Sequence, residues 1–464
     1  MGCGSSSPVA AHPKAPATNA NTAMVKAQSS RKLLVDAKAQ DDAAAASAAA
    51  ATAASNALKE SQEAQSSSSS SIVDPVDIPE NRISIASNVE VLELNLCPVD
   101  SSKPPPAVLE FPKLLKAPLS LFRLTHLQKL SLKGNALATL PIELKNLSSL
   151  VEFDASENAL TSVPPGLFEA WASTLVSLTL SENYIAMLPE TIGSMSKLER
   201  LIVFKNDLTQ LPPSIAKCSS LQELNIFNNK LTSLPSVLGT ECSSIVDFNA
   251  GSNKLTMFLP DVTAWTSCKR IALQDNKITT LPDLIPCAPT LVQLQLANNS
   301  LMAFPVITGA TNLKLLDVSS NTIEVIPDDV YELTSLEALN AKKNGIVDVP
   351  ASICGLGSLT LLDLQMNSIE VLPNHFDNSI KTNLTSLLLG KNKIKYIPST
   401  IKECTKLSRL LLDQCPLVIA PTADVEDVRF LAHKELLLDM KEQCEKLGGF
   451  LRCSGTPLGV RPKK

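Results

Sequence analysis

From Asn135 to Cys415 one pattern returns about every 23 residues, and this period constrains the fold more than any other feature of the chain. The stretch from Leu221 to Pro235, LQELNIFNNKLTSLP, shows it: Leu221, Leu224, Ile226, Leu231 and Leu234 surround Asn229, and the positions between them, Phe227 excepted, are polar or small. The resulting spacing of 3, 2, 3, 2, 3 suits neither a helix nor a strand alone. Leu224 and Ile226, two residues apart, point to one side of a short strand, so each turn adds one strand to a parallel sheet and the residues between them face out. The chain must then turn inward, where buried backbone groups need partners. An asparagine amide donates and accepts at once, so a column of stacked amides would satisfy successive turns. Pro235 opens the return segment, where a fixed φ and a missing donor favour an extended or single-turn connection.

Counterparts of Asn229 occur at Asn135, Asn158, Asn183, Asn206, Asn253, Asn276, Asn299, Asn321, Asn344, Asn367 and Asn392, with Cys97 and Cys415 in the same position at the ends. Most steps are 23 residues, and one of 38 follows Cys97. Fourteen copies predict fourteen strands and a sheet running roughly 60 Å along its inner rim.

The segments LQKLSLKGNAL from Leu127, LVSLTLSENYI from Leu175 and LTLLDLQMNSI from Leu359 match LxxLxLxxN/CxL, and from Val89 to Pro421 the chain resembles the leucine-rich repeat family. The Leu-Pro step and the tail seen in LPIELKNLSSL, from Leu140, resemble its cytosolic LPxxI-type subclass, which includes Ras-pathway scaffolds and adaptors. The resemblance implies an α/β solenoid, a curved horseshoe with a concave parallel β-sheet, short convex return segments and a C-terminal capping helix. It also implies a non-catalytic scaffold without a cofactor, binding a protein such as a small GTPase or a phosphatase on the concave face. It transfers no contact residue. A structural component of a membrane-associated cytoskeleton or cilium, and an inhibitor or regulatory subunit of an enzyme, are the rival classes.

A solenoid needs capped ends. Val425, Val428, Leu431, Met440, Cys444 and Leu447 are spaced for a helix over 422–447, with Asp424, Glu426 and Asp427 early and Lys446 and Gly448 late. The expected organisation is a tether over 1–71, a solenoid over 72–421 with an N-terminal cap from Ile72 to Ser87, the helix, and a loose tail over 448–464. The proline run in SSKPPPAVLEFP reads as a stiff surface loop, and the region of Trp265 as a small bulge on the outer face.

The first six residues, MGCGSS, fit the acceptor pattern for N-myristoylation at Gly2, with Ser6 at the favoured position. One such chain binds membranes only at ~10⁴ per molar, so a palmitoyl group on Cys3 is the expected second signal. Lys14, Lys26, Arg31, Lys32 and Lys38 add attraction to an anionic leaflet. The solenoid is thereby expected in the cytoplasm, on the cytosolic face of a membrane, the plasma membrane first. Eleven cysteines, an odd number with no CxxC pair, read as reduced thiols, and a net charge of −5 gives no reason to expect nucleic acid as the main partner.

On the inner face most outward positions are small or polar, among them Ser131, Asp154, Thr179, Asn249 and Gln293. Ile202, Phe204 and Phe227 break that habit, flanked by Arg200, Asn225 and Asn228. Such rings either anchor a partner, each recovering roughly 1.5–3 kcal/mol on burial, or pack on their neighbours. A charge gradient runs from Glu152, Asp154, Glu157 and Glu182 to Lys342, Lys343, Lys391 and Arg409. His12, His126, His375 and His433 are scattered, and no catalytic or metal-binding constellation emerges.

Overall fold

A computed structural model describes residues 91–93, 114–117, 119–417 and 433–453. The chain divides between Pro75 and Val76, and every described residue belongs to the second unit, Val76–Lys464. Among the described residues, fifteen three-residue strands form one parallel sheet in chain order, from β1 (Val91–Glu93) and β2 (Lys129–Ser131) to β14 (Arg409–Leu411) and β15 (Phe450–Arg452). Equivalent positions of successive turns pair in register, as Leu224 does with Phe248 and Asn225 with Asn249. This is the curved solenoid that the repeat predicts. The inward leucines form one continuous core, with Leu178, Leu201, Leu224 and Leu294 all sealed from solvent.

The asparagines bridge turns, although they do not bond one another. The Asn276 Oδ1 accepts from the Leu255 N–H of the preceding turn at 3.0 Å, while its Nδ2 donates to the carbonyls of Ala250, one turn back, and Leu273, in its own turn, both at 3.0 Å. The same three bonds recur at Asn158, Asn183, Asn206 and Asn229, and again at Asn321, Asn367 and Asn392. Asn135 accepts from Leu114 and donates to Leu132, and Asn253, Asn299 and Asn344 are half-buried versions of the bridge. At Cys415 the thiol donates to the Leu389 carbonyl at 3.3 Å and accepts from the Ile394 N–H, a weaker sulfur version of the bridge. Cys97 lies outside the described residues.

Immediately before each bridging residue the backbone is left-handed: φ is 75° at Gly134, 56° at Glu157 and Glu182, 51° at Lys205, 57° at Lys343 and 62° at Gln414. Only Gly134 adopts this without a steric penalty. The inter-turn bonds hold the remaining turns in it.

Prolines open most of the return segments. Pro141, Pro189, Pro212 and Pro398 precede the five-residue 3₁₀ turns Ile142–Asn146, Glu190–Ser194, Pro213–Lys217 and Ser399–Glu403. Their φ values of −71°, −69°, −66° and −64° are those the ring imposes. Two segments instead form short stretches of the wider α-helix, α1 (Pro165–Ala170) and α2 (Val237–Glu241). A second set of inter-turn bonds runs along this side, from Ser244 Oγ to Ser219 O and from Ser358 Oγ to Thr334 O, each at 2.8 Å, and from Asn312 Nδ2 to Pro289 O at 2.7 Å. Trp265, expected in an outer bulge, is instead fully buried against Phe248 and Phe258, its Nε1 donating to Leu238 O at 3.0 Å. The ring takes the place of an aliphatic core residue and its indole N–H joins that second set.

The C-terminal helix α3 covers His433–Lys446. Residues 422–432 of the expected span lie outside the described residues, as do the tether, the proposed N-terminal cap and the proline loop. Gln443 Nε2 donates to Cys404 O at 2.8 Å and Cys444 Sγ to Leu407 O at 3.5 Å, which seats α3 on the last turns. The expectation of a loose tail beginning at 448 is corrected at Phe450–Arg452, which pairs with β14 as a fifteenth strand. Gly449 makes that possible, because a Cβ there would collide with the Ser408 carbonyl.

The ladder predicts graded losses. A buried backbone group left unpaired costs about 1–3 kcal/mol, so Asn276→Ala, which strands the Leu255 N–H while Asn253 and Asn299 still serve the two carbonyls, should cost that much. Asn276→Cys, retaining a weak donor and acceptor, should fall between it and wild type, and Asn298→Ala, which gives up an exposed bond to Asp275 and asparagine's tolerance of the left-handed φ, should shift the urea midpoint less than Asn276→Ala. Equal losses at Asn276 and Asn298 would contradict the bridging role.

Candidate functional site

The face of the sheet opposite the core carries, from each turn, the two residues flanking the central strand residue and the second residue after the strand, as Phe204 follows Ile202 and Phe227 follows Asn225. Many of its polar groups serve the fold. Asp154, Asn225, Asn249, Asp317, Asn340 and Asp363 each accept, through Oδ1, the N–H two residues on, closing the bend after the strand. These bonds span 2.8–3.2 Å. Burial raises the Asp363 carboxyl above the usual carboxylate range, opposed by its bond from the Gln365 N–H and by the nearby Lys342 charge.

The candidate patch is divided by this observation. The Asn225 Oδ1 is committed to the Phe227 N–H at 3.2 Å, and Asn228 holds φ at 53°, a conformation asparagine tolerates well, so the backbone accounts for both amides. Arg200 is exposed in β5 (Arg200–Ile202), its Nε 3.3 Å from Ser177 Oγ. Ile202, Phe204 and Phe227 are half-buried, and the Lys205 ammonium lies 6.0 Å from the Phe204 ring centroid. Ile202 pairs in register with Asn225 of β6 (Glu223–Asn225), which brings the two turns together. The structure thus joins Ile202, Phe204 and Phe227 as a partly exposed apolar cluster with Arg200 in the same turn.

Ion pairs join neighbouring turns, mostly at equivalent positions: Lys129 to Glu152 at 2.8 Å, Lys133 to Glu157 at 3.0 Å, Lys205 to Glu182 at 3.2 Å, Arg270 to Asp247 at 3.4 Å and Lys314 to Glu337 at 2.8 Å. The early acidic residues of the gradient are therefore largely neutralised by lysines in adjacent turns. Sequence reading missed these pairs, since a partner 23 residues away becomes a neighbour only after the coil is built.

Among the described residues, no three His, Cys, Asp or Glu side chains are grouped to hold a metal ion, and no helix is long and apolar enough to cross a membrane. The nine described cysteines are free, and eight are buried. Burial pushes the thiols of Cys218, Cys354 and Cys404 up to about 12 and those of Cys242, Cys287 and Cys444 up to about 11. Cys218 Sγ donates to Ile192 O at 3.2 Å, as a structural bridge would. Gly2 and Cys3 lie outside the described residues.

A leucine-rich repeat family model matches residues 220–240. The chain is 32% identical over 178 residues to the flightless-1 homolog of Caenorhabditis elegans, and 33% identical over 157 residues to human oligodendrocyte-myelin glycoprotein. These alignments take in 37% and 33% of the chain but only 14% and 34% of those proteins. Among solved structures, a leucine-rich repeat protein of Leptospira interrogans superposes with a TM-score of 0.60 at 23% identity, over 80% of this chain and 99% of the other. The plant peptide hormone receptor RGFR1, in complex with RGF2, gives 0.60 at 26% identity over 72% of this chain and 53% of the receptor.

The raised thiols predict a defined reactivity. At pH 8, iodoacetamide should leave Cys218, Cys354 and Cys404 unmodified in the folded chain and alkylate them in urea, read by peptide mass spectrometry. In the unfolded chain these thiols ionise near pH 8.5, below their folded values, so their ionisation should lower stability as pH rises from about 8.5 towards 12. Replacing Cys218 and Cys404 by Ala should flatten that fall.

Proposed function

We propose that this leucine-rich repeat protein is a membrane-anchored signalling scaffold, which presents its concave face to a protein partner without itself catalysing a reaction. The observation carrying this reading is the Ile202, Phe204 and Phe227 cluster, an apolar patch on a face many of whose polar groups are engaged in bends and ion pairs. Apolar side chains left partly open beside an arginine have the composition of an interface centre. The solved receptor RGFR1, at 26% identity, is in complex with RGF2, and this supports a peptide or protein as the ligand class here. Resemblance to the LPxxI-type subclass points to a small GTPase or a phosphatase.

Anchoring rests on MGCGSS: a myristoyl group on Gly2 and a palmitoyl group on Cys3 would hold the chain at the cytosolic face of the plasma membrane, the basic residues of the first forty adding attraction. The reading separates into two tests. Gly2→Ala should move the protein from the membrane to the soluble fraction, and the wild-type N-terminal peptide should carry the added acyl mass. Phe204→Ala with Phe227→Ala should lose a discrete partner from quantitative affinity capture, by roughly 1.5–3 kcal/mol per ring, with the urea midpoint close to wild type. Retention of every partner by that double variant would exclude the cluster as the interface.

A further inference from the structure

The far end of the concave face has a different chemistry. A cavity of about 500 Å³ opens there, lined by Lys342, Gln365, Met366, Lys391, Asp413 and Arg452. It extends from the turn of Asn344 to β15, five turns, or roughly 19 Å at ~4.8 Å per strand, which accommodates about six residues of extended chain. In the sheet beside it, the register aligns Asp363 of β12 (Leu361–Asp363), Leu388 of β13 (Ser386–Leu388), Leu411 of β14 and Arg452 of β15 in one row. Leu388 and Leu411 are half-buried, and Phe450, at the end of the adjoining row, is exposed.

The charge of this region is unbalanced in a way the rest of the face is not. Most cations on the earlier turns of this face hold carboxylates across the coil, as from Lys129 to Glu152 and from Arg270 to Asp247, Arg200 being an exception. Lys342, Lys343, Lys391, Arg409 and Arg452 make no ion pair among the described residues. Asp363 is buried in its own bend, so Asp413 is the one carboxylate lining the cavity. Three cations, Lys342, Lys391 and Arg452, line the cavity against one carboxylate, and they leave an attractive potential over a groove that also contains Met366 and is bordered by leucines. Bare phosphate would satisfy the cations but leave the apolar floor uncovered. A peptide would answer both.

We propose that the groove between Lys342 and Arg452 is a docking site for a short acidic peptide segment bearing apolar side chains, its carboxylates on Lys391 and Arg452 and its apolar groups over Met366, Leu388 and Leu411. The proposal rests on the concave face being a protein-binding surface, and adds a second site about six strands from the aromatic cluster with a ligand chemistry of its own. β15 completes this site by supplying Arg452, so the strand that closes the solenoid also closes the groove.

The experiment is selection of a random twelve-residue display library on the full-length chain, with counter-selection on the Lys391→Glu, Arg452→Glu double variant. Enrichment of peptides combining Asp or Glu with Leu, Ile or Phe is expected. By fluorescence anisotropy, the enriched peptide should bind at least tenfold more weakly to the double variant, weaken steeply as salt rises, and bind the Phe204→Ala, Phe227→Ala variant as it binds wild type. Circular dichroism with an unchanged urea midpoint would establish that the reversal leaves the fold intact. Enriched peptides lacking acidic residues, equal binding to the charge-reversed protein, or charge-dependent binding confined to phosphatidylserine vesicles would each overturn the proposal. If only the aromatic variant lost the peptide, the concave reading would stand and this site would fall.

Discussion

The structure depends on one bond pattern, in which a single asparagine amide satisfies two turns at once. At Asn276 the acceptor oxygen takes an N–H of the previous turn and the amide nitrogen serves carbonyls of both turns, in a turn sealed from water. An aliphatic residue of the same volume would leave the Leu255 N–H unpaired and take one of two amide donors from each of the Ala250 and Leu273 carbonyls, which Asn253 and Asn299 also serve, a loss of about 1–3 kcal/mol. Leucines supply the larger apolar term, but they are non-directional and do not set the pitch of the coil. The amide does, and it also holds the preceding residue in the left-handed region at positions occupied by Glu157, Lys205 or Met366, where glycine would be the easy choice.

That local economy determines what the concave face has left for binding. A bend after each strand consumes the side chain of an Asx residue in six turns, and lysine–carboxylate pairs across the coil occupy much of the remaining charge. Exposed pairs of this kind add little stability, about 0–1 kcal/mol each, yet they neutralise the surface they cross. A polar residue on this face is therefore weak evidence of recognition. Asn225 illustrates the point: its place beside two phenylalanines suggests a contact, while its oxygen is bonded to the next bend.

What was legible in the sequence follows from the distance over which each constraint acts. The strand leucines, the bridging asparagines and the proline-opened returns repeat with the period, so twelve copies of the same amide expose the coil without coordinates. The aromatic cluster was legible too, since Phe204 and Phe227 depart from the repeat at matching positions. β15 was not, because Phe450–Arg452 retains one leucine of the motif and follows a helix, and its pairing depends on the absence of a Cβ at Gly449. Nor was the place of the Trp265 side chain legible: its region reads as a small bulge of the outer face, while the ring is a core residue whose N–H bonds the previous turn. The left-handed positions carry no compositional signal, holding Glu, Lys, Asn, Ser, Asp, Met and Gln alike.

Charge shows why the coil must be built before the gradient can be interpreted. In the sequence, Glu152, Asp154, Glu157 and Glu182 form an acidic beginning and Lys342, Lys343, Lys391 and Arg409 a basic end, two poles of equal weight. In the solenoid the poles are unequal, because Glu152, Glu157 and Glu182 each lie within 3.2 Å of a lysine one turn away. At the basic end Lys342, Lys343, Lys391 and Arg409 make no ion pair among the described residues, and β15 adds Arg452 to it. Cations in a concave groove with partly apolar walls are desolvated more than those on an open surface, which strengthens their pull on an incoming carboxylate. The electrostatic asymmetry of the molecule thus arises less from where charges occur than from which of them the 23-residue pitch places within reach of a counterion.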